Sequence, residues 1–178
     1  MRQQKLTEQK LTGALRLLFG LIWGVDAYLK WSPAFFAEYL SLIKMAARGQ
    51  PRWLQPWFHF WIAMVARDPH GWALFTAFFE SATALGLIFG FAQKIGYGMG
   101  ILFSLGVWST AEGFGGPYTP GATDVGTAII YAVVFLYLAA LQYSAGMSEF
   151  SLDRLIIRRW PAWSKIASFG GGQGPGLA

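Results

Sequence analysis

Residues 71–92 read GWALFTAFFESATALGLIFGFA, a run of 22 residues in which Glu80 is the one ionisable side chain. About 20 mostly apolar residues carry a helix across the hydrocarbon core of a bilayer. Working outward, residues 11–31, 95–111 and 125–143 are apolar on the same scale. The expectation is an all-α integral membrane protein built as a four-helix bundle. The composition agrees: 54% of the chain is hydrophobic, 17% aromatic and 13% charged, against roughly 25% charged in soluble domains. Nine Trp, seven Tyr and fifteen Phe suit the two interfaces of a bilayer. Without cysteine, disulfides, thiolate metal sites, iron–sulfur clusters and cysteine nucleophiles are excluded. The net charge of +5 comes from residues flanking the apolar runs, as in membrane proteins rather than nucleic-acid binders.

The first run follows Arg2, Lys5 and Lys10. It is long and has no A-x-A site behind it, so it reads as a retained anchor rather than a signal peptide. Lys94 lies between the second and third runs, while residues 112–124 contain no basic side chain. The positive-inside rule then places both termini in the cytoplasm, with Arg154, Arg158, Arg159 and Lys165. Lys44, Arg48, Arg52 and Arg67 in the connection 32–70 run against this orientation, but long connections weigh less in the rule. Within that connection residues 53–66, WLQPWFHFWIAMVA, are too short to span and are expected as an interfacial helix on the outer surface. Residues 1–150 form the membrane domain. Residues 151–178 form an amphipathic cytoplasmic segment for anionic head groups with a Gly-rich flexible end.

Helices in lipid associate through close approach at small residues, and Gly20 with Gly24, Gly86 with Gly90, and Gly96 with Gly100 have that spacing. Charges inside a span are costly and normally functional. At about 1.5 Å per residue, Asp26 lies roughly 22 Å along the first run and Glu80 roughly 18 Å from the end of the second. Glu112 and Asp124 flank the connection on the same side. Helical spacing gives each run one polar seam: Arg16, Trp23, Asp26 and Lys30; Thr76, Glu80 and Thr83; Ser104, Trp108 and Glu112; Asp124, Thr127 and Tyr131. Converging seams make a pocket of four carboxylates in the outer half.

Each member also has a plainer reading. Asp26 and Lys30, four apart, form a helical pair. Arg16 snorkels to the cytoplasmic surface, and Asp124 caps the helix that follows it. Glu80 has no basic partner in its own run, so Arg16 or Lys30 reaches it across the interface or it stays protonated. The block 109–127, STAEGFGGPYTPGATDVGT, is rich in Gly and Pro and predicts a stiff outer loop. It either closes over a ligand with the help of Tyr118 or simply turns between helices. His59 and His70 have no metal-ligand spacing and no cysteine beside them, so no metal site is expected.

Residues 108–132, WSTAEGFGGPYTPGATDVGTAIIYA, with ESATALGLIFGFAQK at 80–94 and RLLFGLIWGVDAYLKW at 16–31, resemble the DoxX-like membrane proteins. The branch they are most similar to is the DoxD-like one, which includes the membrane subunit of thiosulfate:quinone oxidoreductase. The resemblance implies a four-helix subunit of the bacterial or archaeal inner membrane that passes electrons from a small sulfur donor to membrane quinone. It also implies a DoxA-like partner, expected as a separate chain. Without cysteine, sulfur chemistry on this subunit proceeds without covalent capture. On this reading Glu80, Glu112 and Asp26 move protons, while Trp108, Tyr118, Asp124, Tyr131, Lys30 and Trp23 shape the binding walls. Quinone is the co-substrate and lipid the surroundings. Homo-oligomerisation, a structural subunit of a larger respiratory or photosynthetic complex, and a proton or solute carrier are the alternatives.

Overall fold

The structure, a computed structural model, describes residues 2–117 and 124–169. Among these there is no strand. α1 spans Arg2–Leu29, α2 Pro33–Ala46, α3 Gln55–Val65, α4 Pro69–Phe89, α5 Gln93–Ser109, α6 Thr127–Ala145, α7 Leu152–Arg159 and α8 Ser164–Ala167. Three helices are long and apolar enough to cross a membrane, over Gln3–Leu29, Pro69–Phe89 and Thr127–Ala145. At 17 residues α5 is shorter, about 26 Å at helical rise. Of the four expected spans, three are thus long and apolar enough to cross a membrane, and α5 packs beside them.

Local chemistry sets the boundaries. Asp68 accepts from the Gly71 amide at 2.9 Å with Pro69 at the first helical position, so α4 starts at a capped Pro. Gly90 ends it in the left-handed region at φ 64°, and the Phe91 amide returns to the Gly86 carbonyl at 2.9 Å. In α1 the helix begins before the apolar run and takes in the polar residues ahead of it. A start signal in the connection 32–70 is Ser32 before Pro33, and α2 begins there with the Ser32 hydroxyl accepting from the Phe35 amide. That connection thus holds two helices where one was expected. α3 does not merely rest on a surface, because its Phe58 and Val65 are buried.

α1 packs chiefly on α4 and α5 on α6, α1 and α6 meet, and α2 covers α4. The core joins Phe19, Trp23, Ala84, Leu87, Tyr97, Phe135 and Leu138, with Phe19, Trp23, Tyr131 and Phe135 in mutual ring contact at 4.9–5.6 Å. Of the paired glycines, Gly20 approaches Leu87 and Ile88 too closely for a side chain, and Gly100 is covered by the Phe135 ring. Gly24 and Gly96 face open space and Gly90 is a helix terminator. Close approach therefore uses one glycine of a pair, not both.

Candidate functional site

Where α1, α4, α5 and α6 meet, away from the chain termini, they enclose a cavity of about 210 Å³. Trp23, Asp26 and Lys30 line it from α1, Glu80 from α4, Phe103, Ser104 and Val107 from α5, and Thr127, Ala128 and Tyr131 from α6, with Glu112 at its edge. The seams converge in part: each helix brings members to this cavity, with three carboxylates instead of four, while Thr76 and Thr83 line the neighbouring cavities. Lys30 Nζ stands 3.6 Å from Asp26 Oδ1 and 3.7 Å from Glu80 Oε2, so one cation serves both the pair within its helix and the partner across the interface. Glu80 is met by Lys30 and not by Arg16. The Tyr131 hydroxyl faces Asp26.

Three buried polar atoms on the cavity wall have no hydrogen-bond partner: Trp23 Nε1, Glu80 Oε2 and Ser104 Oγ. Their residues are 3%, 5% and 1% exposed, so bulk water does not reach them. A serine inside a helix ordinarily bonds the carbonyl one turn back; Ser104 does not. An unmet donor or acceptor in a buried site costs about 1–3 kcal/mol. A donor, an acceptor and a group that is either, on three different helices, are the polar inventory of a ligand or water site.

The other expected wall residues have different partners. Glu112 receives the Ala128 amide at 3.1 and 3.0 Å on its two oxygens. Ala128 lies in the first turn of α6, so this carboxylate meets a free N–H group and the positive end of the helix dipole. Trp108 Nε1 donates to the Val125 carbonyl at 2.8 Å and its ring meets Phe114; it pins the approach to α6 outside the cavity lining. Asp124 is exposed and accepts from the Gly126 amide at 2.8 Å, an Asx turn before α6. Tyr118 lies outside the described residues. The described part of the outer loop is held from two sides, by Gln50 Nε2 donating to the Gly113 carbonyl at 2.8 Å and Trp57 Nε1 to the Ser109 carbonyl at 2.8 Å. Gly113, Phe114 and Gly115 are successive left-handed residues at φ 58°, 61° and 74°, a conformation that suits the glycines and strains the phenylalanine. Burial pushes the hydroxyl of Tyr39 on α2 up from its ordinary value, and it bonds Thr76 at 2.9 Å.

A second buried polar cluster sits at the end of the bundle that carries the termini. Arg16, expected to snorkel, is 1% exposed and donates to the carbonyls of Leu87 and Phe150. Its charge satisfies the unpaired carbonyls at the end of α4, so leaving the interior would strip that helix of its cap. Asp153 is fully buried and had no place among the expected site residues. It accepts from the amides of Ala92 and Gln93, from Gln93 Nε2 and from Trp163 Nε1 at 2.7–3.2 Å. The signal for it was an acid in the first turn of α7 combined with an α5 that begins without a side-chain cap of its own. The segment after residue 150 thus docks under the bundle by one face, with Ile157 and Ala167 buried, and leaves Leu155 and Trp160 exposed. Its Gly-rich end lies outside the described residues.

No family model, curated protein or solved structure matches the chain. The likeness to the DoxX-like proteins therefore rests on the three quoted segments alone. Among the described residues no group of three or more His, Cys, Asp or Glu is placed to hold a metal ion. His59 and His70 are both exposed, and His70 lies 5.1 Å from the Phe36 ring.

Proposed function

We propose that the chain is a multi-pass membrane redox subunit in which α1, α4, α5 and α6 all span, and that its polar cavity binds the head group of a quinone. The single observation that carries this reading is the set of buried polar atoms around about 210 Å³: Trp23 Nε1 and Ser104 Oγ without partners, and Glu80 Oε2 without a hydrogen bond and met by Lys30 at 3.7 Å. A quinone presents two carbonyl acceptors and a quinol two hydroxyl donors. Trp23 and Ser104 donate to oxygen in either state, and Glu80 accepts from a hydroxyl once the ring is reduced. Quinone chemistry takes up two protons with two electrons, and a carboxylate within reach of the ring oxygen is the usual means of moving them. Glu80 exchanges the proton, Lys30 holds Glu80 in place, and Asp26, 35% exposed at its side chain, connects the pair toward the outside. Tyr131 and Trp23 form the ring walls.

The wall carries Asp26, Glu80 and Glu112 against Lys30 alone. Like charges in a site of low dielectric repel strongly, so this cavity disfavours a small anion such as thiosulfate. The electron donor then acts through a partner chain, in keeping with a DoxA-like protein or another subunit. Support for both termini lying inside comes from the basic residues gathered at the terminal end, Lys10, Lys94, Arg158 and Lys165 among them.

The test is equilibrium binding of a benzoquinone to the purified protein in phosphatidylcholine nanodiscs. Wild type binds the quinone and its reduced quinol, Ser104→Ala weakens both several-fold, and Glu80→Gln weakens the quinol several-fold, without loss of helicity. Unchanged binding in both variants overturns the site. A purified complex that keeps full activity with the double variant points instead to an accessory structural subunit.

A further inference from the structure

We propose that the seam between α4 and α5 is a binding slot for the apolar chain, alkyl or isoprenoid, of the ligand whose head group enters the polar cavity. This rests on the head-group reading above. The two helices follow each other through a tight turn, yet two apolar cavities of about 180 and 270 Å³ lie along their seam. Phe79 and Met99 line both of these, and Phe103 and Val107 line both the larger one and the polar cavity. The three spaces are thus separated by shared side chains rather than by backbone. At the junction the rings of Phe79 and Phe103 stack at 4.2 Å, so rotation about side-chain bonds is enough to join the compartments.

The glycines of α5 on the cavity walls show the same empty space. Gly106 lines the larger apolar space and Gly96 the smaller, and a Cβ placed on either meets nothing within 4 Å. Ten residues apart, they mark about 15 Å of slot at helical rise. Glycine costs up to about 1 kcal/mol in a helix interior relative to alanine; these two bring no backbone closer, and their effect is to leave the slot empty of side chains. Tyr39 and Trp61, from α2 and α3, wall the larger compartment on its far side. Phe75, Met99 and Leu102 on the same wall are exposed, so the compartment is open along its side, and a chain tethered to a head group beyond Phe103 is held against it at high local concentration.

Gly106→Leu tests this, because leucine is the better helix former and its first carbon has free room, so the variant should fold. Binding is compared for a tailless benzoquinone and the same ring carrying a ten-carbon chain, each at equal mole fraction in phosphatidylcholine nanodiscs. Comparing variant against wild type cancels partitioning into the lipid. The expected result is that Gly106→Leu weakens the chain-bearing compound about tenfold, as overpacking of a filled site does, and leaves the tailless ring within twofold. Equal binding of both compounds by variant and wild type overturns the slot and leaves the head-group reading standing. Equal weakening of both also overturns it, since residue 106 then acts on the polar cavity. Loss of co-purified phospholipid from the variant with quinone binding intact assigns the slot to bulk lipid and overturns it. Failure of wild type to bind either ring removes the head-group reading and the slot with it.

Discussion

Both ends of the bundle bury charge, and they treat it in opposite ways. At the terminal end Asp153 receives four donors on two oxygens, and Gln93 Oε1 receives Tyr97 and Ser148 at 3.0 and 3.2 Å. Arg16 closes α4, Gln9 links Arg154 to the Ala145 carbonyl, and the atoms left without a hydrogen bond there, Arg16 Nε, Gln142 Oε1 and Glu149 Oε2, belong to groups whose other polar atoms are engaged or that are ion-paired. At the far end three helices each aim an unmet polar atom at one cavity. Buried polarity that is satisfied holds a fold together, and buried polarity that is not satisfied waits for something. Depth in the membrane and helical spacing do not separate the two cases; what does is that the unbonded atoms of Trp23, Glu80 and Ser104 belong to the lining of one cavity.

The comparison breaks most visibly at Asp153. Asp153→Ala leaves the amides of Ala92 and Gln93 and the Trp163 indole without acceptors in a buried site, and removes a carboxylate whose field favours the Arg16 charge. Removing one member of such a network costs about 3–5 kcal/mol, read as a large fall in the thermal midpoint in detergent, with α7 and α8 becoming protease-sensitive. A variant as stable as wild type would show that the tail is an ornament rather than the lower cap of the bundle. Glu80→Gln is the mirror image. Its Oε2 meets Lys30 at 3.7 Å and makes no hydrogen bond; glutamine keeps its shape and Lys30 keeps Asp26, so stability should fall by about 1–3 kcal/mol, less than at Asp153. Quinone turnover in the assembled system should fall about 100-fold or more, the usual weight of a proton-transferring group. A variant that unfolds while keeping turnover would exchange the roles of the two ends.

How far the chain could be read before its structure follows the same division. Residues 71–92 carry an unbroken apolar run around one acid, and hydropathy alone marks them; the i, i+4 spacing of Asp26 with Lys30 and of Tyr131 with Thr127 places those side chains on one face. Period and depth thus reach the cavity. Arg16 shares the stripe of Trp23 and Lys30 by spacing, yet its partners are carbonyls that exist only because α4 stops at Gly90, and no periodicity records where another helix ends. Asp153 is hidden for the same reason, since its role depends on an uncapped α5 some sixty positions earlier. Glu112 and Asp124 read alike as acids beside a span, and only the path of the loop decides that one meets the α6 amide at Ala128 while the other folds onto Gly126.

Smaller effects sharpen the contrast. Trp23→Phe keeps the ring that packs on Phe19, Tyr131 and Phe135 and removes an N–H that bonds nothing in the protein. Stability should hold or rise slightly, because an unmet donor is gone, while head-group binding should weaken about tenfold, the worth of one hydrogen bond in a dry site. A loss of stability with binding unchanged would mean that the indole N–H has a partner in the folded protein and that the cavity is not its target.

Glu112 stands between the two kinds of polarity, lining the cavity while its oxygens are engaged by the Ala128 amide. The cap needs an acceptor and not a charge. Glu112→Gln should therefore keep both fold and binding, with a change of about 0.5 kcal/mol or less from the lost interaction with the helix dipole. Glu112→Ala should cost about 1 kcal/mol, as the loss of an N-terminal cap does, and loosen the start of α6 as seen by amide exchange at Ala128. If Glu112→Gln instead lowers quinone turnover as far as Glu80→Gln at unchanged stability, the carboxylate takes part in proton movement despite its amide partner. A satisfied group would then belong to the chemistry, and the line between the two ends of the bundle would have to be drawn by charge rather than by hydrogen bonding.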